Sequence, residues 1–197
     1  MIFFTLLLCG GLLLVLLFVF SSQNSNRKNR ALSAAYSAVR TPSIAVPKLS
    51  PKQFKELHDA ALHQIILDSI HARLVVSPDG INLDTIQRAE TFDRLYTVAH
   101  IFDVHLDNGG LKGLCDNFGL PFCTELAAAM ECFGAQDHLE ELNTVTHFFT
   151  PIIASNYAFS DSDKIAISKF EQRFRMLRPL SNYALNFARK NPELYCK

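Results

Sequence analysis

Residues 2–20 of this 197-residue chain carry no charged side chain and consist mostly of Leu, Phe and Val; no other stretch restricts the architecture as much. At about 1.5 Å per residue, a helix of that length reaches roughly 28 Å, close to the roughly 30 Å hydrocarbon core of a bilayer. The segment is therefore expected to span a membrane. A cleaved secretory signal would start with basic residues and have a shorter apolar stretch. Here no Lys or Arg precedes the run, and Ser21 and Ser22 follow it without a small-x-small cleavage pattern. Leu6-Leu7-Leu8-Cys9 has the outline of a lipid-attachment box, but Cys9 lies mid-run with no basic residue ahead of it. The reading is an uncleaved, single-pass anchor over residues 1–21.

Arg27, Lys28, Arg30, Arg40 and Lys48 all follow the span. Basic residues beside a membrane segment tend to stay on the cytoplasmic side, so the rest of the chain is expected in the cytoplasm, with a periplasmic domain as the alternative. The five cysteines are odd in number, widely spaced and without a C-x-x-C pair. That pattern suits reduced thiols packed in a core rather than a disulfide framework. Residues 22–49, rich in Ser, Asn and Ala with Pro42 and Pro47, read as a flexible basic linker able to lie against anionic headgroups. Residues 50–197 remain for one domain.

The formal charge of zero conceals an uneven distribution. Residues 51–160 hold six basic against fifteen acidic residues, a balance of −9, whereas residues 161–197 hold eight against four, a balance of +4. An acidic body thus precedes a basic tail.

Within residues 50–197 the apolar pattern is helical. Ser50-Pro51-Lys52-Gln53 combines a capping Ser, a Pro at the first helical position and a Gln three residues after the cap. From there Phe54, Leu57, Ala61, Ile65 and Ile66 repeat at helical spacing, predicting one helix up to the Ser77-Pro78-Asp79-Gly80 turn. A second helix is predicted from Asp84, with Ile86, Ala89, Phe92, Leu95, Tyr96, Ala99 and Phe102 inward, closing at Asn108-Gly109-Gly110. Shorter helices fit 111–118 closed by Gly119, 121–133 closed by Gly134, and 137–149 ended by Thr150-Pro151. A long helix from Asp163 through Phe170, Phe174 and Leu177, interrupted near Pro179, leads to a last one ending near Lys190. No stretch alternates at period two for long enough to make a strand. The expected fold is an all-α, bundle-like single domain.

Asn108-Gly109-Gly110, then Asn117-x-Gly119, then Phe133-Gly134-Ala135 resemble in order and spacing a bacterial family of helical domains. It is the family of the C-terminal domain of the DNA-mimic protein numbered nineteen, a domain of unknown function. Its hallmark is Glu-Val-Asn-Asn-Gly-Gly-Phe, an aromatic-rich turn with Asn and Gly, and an Ile-Gly-Ala closing a helix. Phe170, Phe174 and the closing Phe187-Ala188-Arg189-Lys190-Asn191-Pro192 are also similar, so the resemblance covers about residues 50–197. The chain departs at His105 for Glu, Asp107 for Asn, Leu111 for Phe, and Gly113-Leu114-Cys115 for a Gln and two aromatics. The resemblance implies a bacterial inner-membrane location for the anchored chain and a helical fold. It also implies an acidic surface of the kind that imitates DNA phosphates and occupies a basic or DNA-binding protein.

The acidic residues that fit such a surface are Glu125 and Glu131 on one predicted helix and Asp137, Glu140 and Glu141 on the next. A field of one sign steers basic partners, although a solvated helical face carries the same pattern. Asn108-Gly109-Gly110 could present backbone N–H groups to an anion, but helix closure accounts for it without a ligand. Together with Asn117, Gly119 and Gly134 it is assigned a structural role. His58, His63 and His71 are five and eight residues apart, not the three or four that puts two ligands on one helical face. His100 and His105 with Cys115, Cys123 or Cys132 form no recurring ligand pattern, and no nucleophile, P-loop or dinucleotide motif is present. No catalytic residue, metal or cofactor is assigned.

The leading expectation is a membrane-anchored, non-catalytic protein-binding module in contact with the bilayer through residues 2–20. Direct nucleic-acid contact is not expected, and the oligomeric state stays open, a dimer included. Two alternatives are carried: an enzyme whose scattered site gathers Asp103, His105 and Asp107 beside the Asn-Gly-Gly turn, and lipid or nucleic-acid contact through Lys169, Arg173, Arg175, Arg178, Arg189 and Lys190.

Overall fold

A computed structural model describes residues 49–74, 81–154 and 159–195, with backbone only at 153 and 154. The expected anchor and nearly all of the expected linker lie outside the described residues. Among those described, no strand occurs and no helix is long and apolar enough to cross a membrane. The fold is all-α. Its helices are α1 (Pro51–Glu56), α2 (Asp59–Arg73), α3 (Leu83–Gln87), α4 (Thr91–Asn108), α5 (Gly110–Phe118), α6 (Pro121–Phe133), α7 (Gln136–Ala154), α8 (Asp161–Met176) and α9 (Leu180–Lys190), followed by a 3-10 turn at Pro192–Leu194.

The start at Ser50 forms as its residues dictate. Gln53 N–H donates to Ser50 Oγ, and Ser50 N–H donates to Gln53 Oε1 at 3.0 Å, a reciprocal capping box. A second box, Ser160 with Asp163, starts α8 two residues earlier than the apolar pattern suggests. The expected single helix from residue 51 is instead two. Leu57 and His58 are extended, and His58 Nδ1 caps α2 by accepting from the N–H of Ala60. The break turns the buried stripe, so Leu62, Ile66, Leu67 and Ile70 face inward while Ala61 is exposed. A similar extended residue, Glu90, separates α3 from α4. Thr150-Pro151 does not end α7. The proline falls in the final turn, where it removes one hydrogen bond and leaves the preceding turns intact.

Helix α4 is the centre of the domain. Leu95, Tyr96, Val98, Ala99, Ile101, Phe102 and Leu106 are buried on nearly every side, and α2, α3, α5, α6 and α9 all pack on it. Aromatic rings carry the contacts outward: Phe102 meets Phe174 of α8 edge-on at 5.1 Å, and Phe92 lies flat on Phe187 of α9 at 5.8 Å and edge-on to Tyr195 at 4.4 Å.

Candidate partner-binding surface

The Asn-Gly-Gly corner joins the central helix to α5. Gly109 has φ −125°, so only Gly110, at φ +65°, uses the left-handed region expected of both glycines. A helix that begins abruptly there leaves its first N–H groups without partners. Glu171 of α8 meets this need, its Oε1 accepting from Leu111 N–H at 2.8 Å. The carboxylate lies so close that a Cβ on Gly110 would stand 2.0 Å from Oε1. One turn along α8, Arg175 donates to the carbonyl of Leu106 at 2.5 Å, on the other side of the same corner. The anion suited to this turn is thus the chain's own side chain. Asn108 donates to Val104 O at 2.9 Å, and Asn117 is exposed and makes no side-chain hydrogen bond among the described residues.

Gly119, at φ +70°, closes α5, and Gly134 closes α6 in the left-handed conformation with Ala135 N–H reaching back to Met130 O at 2.8 Å. This closure leads directly into α7, which packs on α6.

Those five carboxylates separate into two groups. Glu125 is mostly buried, 3.3 Å from Arg94 Nε, and accepts from Gln87 Nε2 at 3.2 Å. Glu141 faces α8 and is held by Arg173 at 2.7 Å. Glu131, Asp137 and Glu140 are exposed and have no ion pair or side-chain hydrogen bond among the described residues. Asp137 and Glu140 are three apart and share a face of α7, while Glu141 is rotated towards the neighbouring helix. The accessible acidic surface is therefore smaller than the sequence pattern implies.

The basic tail divides in the same way. Arg173 and Arg175 hold Glu141 and Leu106 O, and Arg189 binds Lys55 O and Leu57 O, each at 2.6 Å, and Asp59 at 2.5 Å. Lys169, Arg178 and Lys190 remain exposed.

The residues of the enzyme alternative point apart, because positions 103 and 105 lie on nearly opposite sides of α4. Asp103 caps α9, accepting from Leu180 N–H at 3.0 Å and Ser181 N–H at 2.8 Å. Burial pushes its carboxyl up, against the hydrogen bonds of Ser181 and Leu180 and the nearby His138, which pull it down. His105 lies edge-on to Phe118 at 5.6 Å, held below its ordinary value by burial, and Asp107 is exposed. His58, His63 and His71 serve separate surroundings: a cap, a contact with Tyr96, and an exposed position. Burial pushes the Cys115 thiol up to about 12, which leaves it protonated at neutral pH.

Glu171, Arg175 and Asp103 were not among the structural residues expected from sequence. A local signal exists for the first two, an acid and a base four apart flanking Phe170 and Phe174, but their partners lie 60 and 69 residues away. Comparison with protein-family models, curated proteins and solved structures returns no match.

Proposed function

We propose that this protein is a membrane-anchored, non-catalytic module that binds a basic protein through Glu131, Asp137 and Glu140 at the α6–α7 corner. The carrying observation is that these three carboxylates are exposed and have no ion pair among the described residues, whereas their neighbours Glu125 and Glu141 are engaged inside the fold. Unpaired carboxylates on a firm helical corner attract cationic side chains at no cost in broken internal pairs. The uncharged run at residues 2–20 and the basic residues after it support the anchor. The resemblance to the DNA-mimic domain family supports a DNA-binding protein as the partner class.

Charge reversal at Glu141 would break its pair with Arg173 and confuse folding with binding. The informative variant is Glu131→Lys/Asp137→Lys/Glu140→Lys, compared with the unaltered chain for capture of basic proteins at low and high salt. A captured partner should bind more weakly as salt rises and should be lost in the variant. Binding that is indifferent to salt and to the three reversals would refute the proposal.

A further inference from the structure

The seam between α2 and α4 contains a group of titratable rings that the binding surface does not use. His63 of α2 places Nδ1 2.7 Å from the hydroxyl of Tyr96, which is fully buried on α4. The His100 ring, one turn along α4, lies 5.2 Å from the His63 ring. Neither imidazole forms an ion pair among the described residues.

The charged groups around the seam are engaged elsewhere or exposed. On α2, Asp68 accepts from Gln64 at 2.8 Å and His71 is exposed; at its C-terminal end Arg73 makes a two-pronged contact with Asp93 of α4, both distances 2.7 Å. On α4, Asp103 is directed at α9. From α9, Arg189 reaches Asp59 and the carbonyls near it, and Lys190 is exposed. Tyr195, beyond α9, adds a buried neutral phenol. Among the described residues no carboxylate pairs with either imidazole of the seam.

The neutral state satisfies the geometry. Burial keeps Tyr96 protonated, so its hydroxyl can donate to an unprotonated Nδ1. A proton on that nitrogen reverses the bond and leaves the phenol proton without its acceptor, and a second proton on His100 places two like charges on rings whose centres are 5.2 Å apart. We propose that the His63–Tyr96–His100 seam is an acid-responsive joint, closed while both imidazoles are neutral and opened along the middle of α2 when they take up protons. The two ends of α2 stay fastened, because Arg73–Asp93 and Arg189–Asp59 keep their charges at mildly acidic pH. Opening exposes Leu62 and Ile66 in addition to the rings.

Burial and the neighbouring His63 and His71 hold His100 at about 4, below its ordinary 6.5. Such a group favours the closed state above pH 6.5 and ceases to do so as pH falls towards 4. From His100 alone, the opening equilibrium should rise about 30-fold between pH 8 and pH 5. His63, also held down by burial, acts in the same direction.

Amide hydrogen exchange on the full chain at pH 8 and pH 5, corrected for intrinsic rates, tests this. Protection over residues 63–70 should fall about 30-fold and should be lower than that over α6 at both pH values, because α2 opens without global unfolding. In His63→Gln/His100→Gln the acid loss should disappear. If α2 exchanges no faster than α6 at pH 5, so that only global unfolding exposes it, or if α2 does not respond to pH, the proposal is wrong. Imidazole proton resonances of the unaltered chain provide a reading independent of the variant: ordinary titration near pH 6.5 with α2 still protected would equally overturn it.

Discussion

Replacing Gly110 with Ala tests whether the corner between α4 and α5 depends on the close approach of Glu171. Two costs are expected. A side chain in the left-handed region costs about 1–2 kcal/mol. The new Cβ, 2.0 Å from Glu171 Oε1, also displaces the carboxylate. Glu171 is a long side chain and can swing away, but it then gives up Leu111 N–H, and losing a charged hydrogen bond of this kind costs about 1.5–3 kcal/mol. Together Gly110→Ala should destabilise by roughly 2.5–5 kcal/mol, lowering Tm by roughly 8–20 °C for a domain of this size. Gly134→Ala is the control, since Gly134 is also left-handed, at φ +72°, but has nothing within 4 Å of the added Cβ. It should lose only about 1–2 kcal/mol. Urea and thermal unfolding of both variants, Glu171→Ala, and the double variant Gly110→Ala/Glu171→Ala complete a cycle. The double variant should be hardly less stable than Gly110→Ala, because the cap is already gone. Additive losses, or equal effects at Gly110 and Gly134, would show that Glu171 is not what makes Gly110 necessary.

Asp103→Ala should destabilise by about 2–3 kcal/mol, measured by urea unfolding, because it removes the acceptor for two N–H groups at the start of α9; a loss under about 0.5 kcal/mol would contradict the cap. Burial holds His63, His100, His105 and His138 below their ordinary value, so each stabilises the fold above pH 6.5 and does so less as pH falls. His100, held at about 4, should by itself lower stability by about 2 kcal/mol between pH 8 and pH 5; a urea midpoint unchanged over that range would count against this. Thiol labelling followed by peptide mapping should find Cys132 modified well before Cys115 and Cys123, since Cys132 is exposed and the others are half-buried. Equal rates would mean that α5 and α6 open readily.

What could be read from the sequence was local. Ser50 with Gln53 starts a helix within four residues, and Gly119 and Gly134 close helices through backbone conformations that other residues rarely adopt. The breaks at Leu57–His58 and at Glu90 were not legible, because the apolar period runs across both and only packing on α4 decides where the chain turns. Pro151 misled in the other direction, since its effect depends on how much helix follows it. Glu140 and Glu141 look alike in sequence; a rotation of about 100° on α7 sends one to solvent and the other to Arg173. Asp103 and His105 look like partners for the opposite reason, being close in sequence and far apart around a helix.

Arg189 carries a consequence for the order in which the chain can fold during synthesis. It holds the end of α1 and the start of α2 through Lys55 O, Leu57 O and Asp59, which precede it by 134, 132 and 130 residues. A chain leaving the ribosome at roughly 5–20 residues per second emits α1 and α2 many seconds before the residue that fastens them. The α4–α5 corner waits in the same way for Glu171 and Arg175. Until its last helices emerge, the nascent domain therefore displays unfastened apolar faces. A chain stalled after α7 lacks these fastenings and stays open to chaperones and to proteolysis.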